Sequence, residues 1–192
     1  VVISDSVTKI GDFAFKQCKK LSAISISPSV KYIGMDCFWN CNSLTGVYIT
    51  DITAWCNIDF EDASANPLCQ KGSFFVKGVE QTEITIPSGV ENIKQYTFYN
   101  CTSLTSITIP ESVTKIGDYA IYSCSMLESV HFNGTTPPTL SSDTFSINYS
   151  DSTKNPKIYV PSGAEAAYLS STWNNTYKSW IVLEDYSNVS NY

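Results

Sequence analysis

Apolar residues recur along the chain in pairs with one residue between them: Val1/Ile3, Ile24/Ile26, Val47/Ile49, Ile84/Ile86, Ile107/Ile109, Val130/Phe132 and Ile158/Val160. Period two marks a short strand whose apolar side faces a core while the residue between points out. The pairs start at 1, 24, 47, 84, 107, 130 and 158, giving spacings of 23, 23, 37, 23, 23 and 28. A period in the twenties is the signature of a solenoid, in which each coil buries its apolar face only against its neighbours. Stacked at ~4.8 Å per strand, these rungs predict one parallel sheet roughly 29 Å wide.

A longer motif surrounds each pair: I-P-x-S-V-x-x-I-G-x-x-A-F-x-x-C-x-x-L. One copy carries Ile109, Pro110, Ser112, Val113, Ile116, Gly117, Ala120, Cys124 and Leu127. Another starts at Ile86-Pro87 and continues through Val90, Ile93, Phe98, Cys101 and Leu104. A third has Ile26, Val30, Ile33, Gly34, Phe38, Cys41 and Leu44, and the chain opens in a fourth with Val7, Ile10, Gly11, Ala14, Phe15, Cys18 and Leu21. The pattern predicts a second extended stretch after each proline, as at Val113 to Ile116. Gly11, Gly34 and Gly117 mark a bend that uses glycine's conformational freedom. Lys94 stands at that place in the coil of Phe98.

Two segments break the period. The 37-residue spacing holds Asp51 to Phe60 and Asn66-Pro67-Leu68, with Phe75 falling on the phenylalanine row and Gly78 on the cysteine row. It reads as one coil that bulges and returns to register. After Thr135 to Thr139, Phe145 resumes the phenylalanine row and Asn148 the cysteine row. Ile158 to Val160 is then the last rung. Ser162-Gly163-Ala164-Glu165 is a capping-box sequence that predicts a helix from about Gly163 to Ser170. Ala166, Ala167, Tyr168 and Leu169, with Trp173, Tyr177, Trp180 and Ile181, are expected to cover the open end of the stack. Residues 1–181 thus read as one repeat domain, with regular coils over 1–50 and 81–134, an enlarged coil over 51–80, and a last coil and cap over 135–181. Residues 182–192 read as a tail, and the chain as part of something longer.

Cys18, Cys41, Cys101 and Cys124 occupy one repeat position, which makes them stacked buried thiols rather than a disulfide framework. Cys37 shares the small-residue row of Ala14, Thr97 and Ala120. Cys56 and Cys69 lie outside the pattern, and the sequence leaves open whether they pair. The net charge is −6, and all 12 basic residues are lysine, so the usual bidentate readers of phosphate and guanine are missing and no nucleic-acid partner is expected. No apolar run is long enough to insert in a membrane. Nothing in the motifs implies a cofactor or a metal site. The single histidine, His131, lies between Val130 and Phe132 and should face outward from a strand.

No catalytic residues are assigned. The sharpest enzymatic alternative is a carboxylate set, Asp59, Glu61 and Asp62, near Trp55 and Phe60, since paired acids beside aromatic rings are what a glycoside hydrolase uses. The opposing reading is a solvated loop with Trp55 turned into the core. Binding is better supported. The outward row is Val2, Ser25, Tyr48, Thr85, Thr108, His131 and Tyr159, flanked by Ala23, Gly46, Glu83, Ser106, Ser129 and Lys157. Hydroxyl groups punctuated by Tyr48, His131 and Tyr159 form a polar face of low charge, suited to a protein or glycan ligand. The candidate site residues are Ser25, Tyr48, Thr85, Thr108, His131 and Tyr159.

These repeats resemble the BspA-type leucine-rich repeats of bacterial and some protozoan surface proteins, on the motif quoted above and over roughly Val1 to Ile181. The enlarged coil and the proline-rich C-terminal end also look like segments that recur in that family. Ile121 in place of the phenylalanine, Gln81 in place of a leucine, and Ile3-Ser4 without the proline are local departures. The resemblance implies a leucine-rich repeat solenoid, mainly β, of right-handed coils of about 23 residues with a parallel sheet, one enlarged coil and a C-terminal capping helix. It also implies an extracellular or cell-surface module that adheres to host matrix or plasma proteins, glycans or other cells. A structural spacer inside a longer surface protein is the alternative.

Overall fold

The computed structural model describes residues 1–141, 143–146, 154–173 and 175–183 as a stack of coils, each with a short strand. Asn148 and residues 184–192 of the tail lie outside the described residues. At the N-terminal end Val2 bridges to Ser25 of β2 (Ala23–Ser25), which pairs in parallel with β4 (Gly46–Ile49), and β4 with β6 (Ser73–Val76). A separate sheet runs through β8 (Glu83–Thr85), β10 (Ser106–Ile109), β12 (Ser129–Phe132), β14 (Lys157–Val160) and β15 (Ile181–Leu183), also in parallel. The predicted second stretches form two narrow ladders: β1 (Lys9–Ile10), β3 (Tyr32–Ile33) and β5 (Asp59–Phe60), then β9 (Asn92–Ile93), β11 (Lys115–Ile116) and β13 (Thr139–Leu140). The inward residues Ile24, Val47, Ile84, Ile107, Val130 and Ile158 are buried in one continuous core with Phe38, Phe98, Ile121 and Phe145. Burying each such side chain contributes about 1.5–3 kcal/mol.

The rungs form two sheets rather than one, because the enlarged coil is not a bulge. It holds a rung of its own, β6, with Phe74 fully buried, and then β7 (Val79–Glu80) folds back antiparallel to it. Lys77 and Gly78 make the tight connection, both with left-handed backbone at φ 51° and 81°. That is what a two-residue hairpin turn requires. The reversal ends the first sheet and β8 starts the second. Phe75 therefore leaves the phenylalanine row and faces out, stacked on Tyr48, and Gly78 is a turn residue rather than a member of the cysteine row.

The bend glycines serve a different purpose from the one predicted. None of Gly11, Gly34 and Gly117 is among the left-handed residues. A Cβ on Gly34 would lie 2.6 Å from the Asp12 amide nitrogen, and one on Gly117 2.7 Å from that of Gln95. Close approach of the preceding coil excludes a side chain there, whereas Gly11, in the first coil, meets nothing. The left-handed positions are filled by non-glycine residues: Phe13, Asp36, Tyr96 and Tyr119 in one row, and Gln17, Asn40, Asn100 and Ser123 in another. Each costs about 1–2 kcal/mol of backbone energy. The return is a run of main-chain bonds between coils, such as Phe15 N to Cys37 O at 3.0 Å, Gln17 N to Trp39 O at 2.8 Å and Phe98 N to Ala120 O at 2.7 Å.

Side chains replace this ladder where the two sheets meet. Thr97 O stands where Cys37 O and Ala120 O stand in other coils, and it accepts from Trp55 Nε1 at 2.9 Å and Asn66 Nδ2 at 3.1 Å. Asn66 Nδ2 also reaches Tyr96 O at 2.6 Å, Gln95 Nε2 donates to Phe60 O at 3.0 Å, and Asn100 Nδ2 donates to Cys69 O at 2.8 Å. Trp55 lies on a short helix, α1 (Ile52–Cys56), whose first turn is capped by the Asp51 carboxylate. Asn66 caps the 3-10 turn Pro67–Gln70 through Leu68 N while bridging to the next coil.

At the C-terminal end α2 (Glu165–Ser170) begins after Ala164, not at Ser162. Gly163, at φ 84°, completes a turn that bonds Ala164 N to Pro161 O, so Ser162 sits too early to cap, and no side chain caps the helix. Tyr168 and Ala164 are buried, while Ala166, Ala167 and Leu169 face solvent. Tyr168 donates to Gly134 O at 2.8 Å and Trp173 Nε1 to Pro138 O at 2.8 Å, and both rings pack on Phe132. Tyr177, on α3 (Asn175–Lys178), donates to Phe145 O at 3.0 Å and accepts from Phe145 N at 3.2 Å. Ile181 to Leu183 continue the sheet as β15, so a further strand covers the last rung that the repeat pattern predicts.

Candidate functional site

Strand register sets the outward row. Thr85 lies beside Thr108, Thr108 beside His131, His131 beside Tyr159 and Tyr159 beside Val182, all on the second sheet. Ser25 pairs with Tyr48 and Tyr48 with Phe75 on the first sheet. The six candidate residues are thus divided, two on one sheet and four on the other. Each sheet carries one stacked aromatic pair: Tyr48–Phe75 at 4.4 Å between centroids and 9° between planes, and His131–Tyr159 at 4.6 Å and 10°. Phe75 is the member that the spacing conceals, because it sits in a Phe74-Phe75 run without alternation. Gly46 is buried under the Tyr48 ring, and a Cβ there would approach Tyr48 Cε2 to 2.8 Å.

A groove of about 620 Å³ runs against the His131–Tyr159 pair, with Ser125, Glu128, Ser129, Lys154, Asn155 and Lys157 on its walls. A second groove of about 730 Å³ shares Ser125, Leu127, Lys154 and Asn155 with it and extends past Ser123 to Tyr99, Asn100 and Lys71. Burial holds the Tyr99 phenol above its usual value, with Cys69, Tyr122 and Tyr119 adding to the effect. Ser129 Oγ donates to Ser106 Oγ at 2.9 Å, which orders the flanking hydroxyl row. Behind Tyr99, the rings of Tyr96, Tyr99, Tyr119 and Tyr122 form a two-by-two array, stacked between coils at 5.5 and 6.3 Å. The same positions in the first coils hold Phe13, Lys16, Asp36 and Trp39, where Lys16 bonds Asp36 at 2.8 Å and lies over the Phe13 and Trp39 rings.

Asp59, Glu61 and Asp62 each have a partner of their own, and Asp59 lines a groove with Lys94 and Asp118. Asp59 bonds Lys94 at 2.6 Å, Glu61 accepts from the Tyr32 hydroxyl at 3.1 Å, and Asp62 accepts from the amides of Asp36 and Ala65. Trp55 is 1% exposed and packs edge-on to Phe60, so its ring offers no surface to a sugar.

All seven cysteines are free, Cys56 and Cys69 included. Cys41 Sγ and Cys124 Sγ donate to Phe15 O and Phe98 O, the phenylalanine row one coil back. Burial pushes the thiols of Cys37, Cys56, Cys69 and Cys101 up to about 12. Cys18, in the first coil, is the exposed member. Among the described residues no helix is long and apolar enough to cross a membrane.

A family model of the BspA type leucine rich repeat region matches residues 1–64 and 71–172, in 6 copies. The chain belongs to this family. The gap between the two matched segments falls on the side-chain junction between the sheets. No curated protein matches the sequence. Among solved structures, the T. pallidum leucine rich repeat protein is 20% identical over 84% of this chain and 57% of its own length, with a TM-score of 0.33. The chain therefore spans little more than half of that protein. A leucine rich cell surface protein of Faecalibacterium prausnitzii is 17% identical over 96% of this chain and 78% of its own, at 0.32. A leucine-rich repeat protein of Eubacterium ventriosum is 16% identical over 85% and 66%, also at 0.32.

Proposed function

We propose that this chain is an extracellular, cell-surface binding module that holds a protein or glycan ligand against the outer face of its second sheet. The observation that carries the reading is the groove along the stacked His131–Tyr159 pair, where rigid rings are bordered by hydroxyl, amide and ammonium groups. Two stacked rings fixed on neighbouring strands lose little conformational freedom on binding, which is how aromatic residues serve as anchors at interfaces. The family membership supports a surface location. Thr108 and Thr85 extend the same face, and Ser25 and Tyr48 with Phe75 offer a separate contact area on the first sheet.

The test is binding of the folded chain to immobilised fibronectin, fibrinogen and a panel of mucin-type glycans. Saturable binding that falls by roughly tenfold or more in Tyr159→Ala, as expected for an anchor residue, with the denaturation midpoint unchanged, supports the reading. Loss in Tyr48→Ala alone moves the ligand to the first sheet. No binding to any ligand by a folded protein favours a spacer that displays other parts of a longer chain.

A further inference from the structure

We infer that Asn133 is a site of spontaneous modification: the Gly134 nitrogen attacks its side-chain carbonyl, and the resulting isoaspartate loosens the C-terminal cap. The inference does not depend on the ligand-binding reading.

The sequence supplies the chemistry. Asn133-Gly134 is the only Asn-Gly in the chain. The main-chain nitrogen that follows an asparagine can attack its Cγ, and glycine leaves that nitrogen unhindered because it has no Cβ. A bond forms between Gly134 N and Asn133 Cγ while the Cγ–Nδ2 bond breaks. Ammonia leaves, carrying the proton given up by the Gly134 nitrogen. Water then opens the cyclic imide. Attack at Cγ restores the normal backbone as aspartate, and attack at the main-chain carbonyl leaves Gly134 joined through Cγ as isoaspartate. Water is the only co-reactant.

The structure leaves both reacting groups free. β12 ends at Phe132, so Asn133 and Gly134 lie outside the strand. Asn133 is exposed. Among the described residues, neither its side-chain amide nor the Gly134 nitrogen has a hydrogen-bond partner. Coil stacking explains the glycine, because a Cβ on Gly134 would lie 3.1 Å from Glu111 Cα in the preceding coil. Asn42-Ser43 is an internal comparison: it too is exposed, but the serine Cβ shields the attacking nitrogen.

The consequence falls on the cap. Gly134 O accepts from the Tyr168 hydroxyl at 2.8 Å, and Tyr168 and Trp173 both pack on Phe132. An isoaspartate lengthens the main chain by one methylene, about 1.5 Å, beside a glycine that already lies close against Glu111. Gly134 is then displaced either from that contact or from Tyr168. The aspartate product changes the charge alone.

The folded chain is held at physiological temperature over a series of mildly alkaline pH values. Peptide mapping with an isoaspartate-specific label then reads the site. Chymotrypsin reads the cap, since it cuts after the buried Tyr168 only when α2 leaves its seat. Isoaspartate is expected at Asn133 ahead of Asn42 and the other asparagines, and faster as pH rises, because the attacking nitrogen must lose its proton. Modified chains should be cut at Tyr168 at least about fivefold faster, as local opening becomes easier. Asn133→Gln should form no isoaspartate there. Asn133→Asp, which brings the charge without the extra methylene, should be cut at the wild-type rate. Asn133 intact in the folded chain but converted in urea overturns the proposal, because the folded backbone then withholds the attack. Faster conversion at Asn42 overturns it as well. Conversion at Asn133 with unchanged cutting overturns the link to the cap, and fast cutting of Asn133→Asp overturns the role given to the lengthened backbone.

Discussion

Regular coils and the junction between the sheets meet the same requirement by different means. In the regular coils the carbonyls of Cys37 and Ala120 receive main-chain amides from Phe15 and Phe98, one coil back. At the junction the equivalent carbonyl, Thr97 O, receives an indole nitrogen and a carboxamide nitrogen from Trp55 and Asn66. The first arrangement needs no particular side chain, only a backbone that follows the same path in successive coils. The second depends on side-chain identity, because the enlarged coil takes another path and only long donors bridge the difference. Main-chain ladders make coils interchangeable, and side-chain bridges make a junction unique.

The sharpest way to break the comparison is Trp55→Ala. It removes a fully buried ring and the indole donor to Thr97 O, at an expected cost of about 3–5 kcal/mol in a denaturant titration. A loss below about 1 kcal/mol would mean that the junction is not held by this side chain. Next come the bend glycines. Gly34→Ala and Gly117→Ala force a Cβ into the neighbouring coil's backbone and should each cost about 1–3 kcal/mol. Gly11→Ala meets nothing and should be neutral or stabilising by up to about 1 kcal/mol. Equal effects at all three positions would return the explanation to backbone freedom.

The smallest effect is read with thiol reagents. Near pH 8 the native protein should lose only Cys18 quickly, with the other thiols protected until it unfolds. Burial raises four thiols from 9.0 to about 12, so the native state keeps protons that the unfolded chain releases. Their contribution to stability is complete below pH 9 and falls as pH rises towards about 12. A denaturation midpoint that stays constant from pH 8 to 11 would contradict this. Cys56 and Cys69 lie in the enlarged coil and Cys101 in a regular one, so the order in which they label also tells whether the junction opens first.

The coils themselves were legible because their signal is repeated: Ile24, Val47, Ile84, Ile107, Val130 and Ile158 each restate the same inward position. The rung at Phe74 was hidden because Ser73-Phe74-Phe75-Val76 has apolar residues on both faces, so period two vanishes where Phe75 covers Tyr48. The strand Ile181 to Leu183 is a continuous apolar run without alternation, so Ile181 read as cover for the open end while Val182 and Leu183 read as the start of the tail. The glycines were visible, but their reason was not, since a contact with Asp12 or Gln95 depends on how coils stack. On the outer face, His131 beside Tyr159 follows from spacing alone. Lys154, which borders the same groove, could not be foreseen there, because it comes from a segment outside the strand pattern. The capping box failed for a local reason: Gly163 turns the chain once more before the helix begins.

The two kinds of joint also bear on how such a protein can change its length. A coil inserted within β10 to β12 finds the acceptors it needs in the coil already there, since the amide of Glu128, for one, bonds the carbonyl of Thr105 across a spacing of 23 residues. Duplication or loss of a whole coil there leaves every ladder intact. An insertion between Asn66 and Thr97 separates partners that have no substitutes. Growth by copying is thus open inside the blocks and closed at the junction, which would stay a fixed landmark in chains with different numbers of coils.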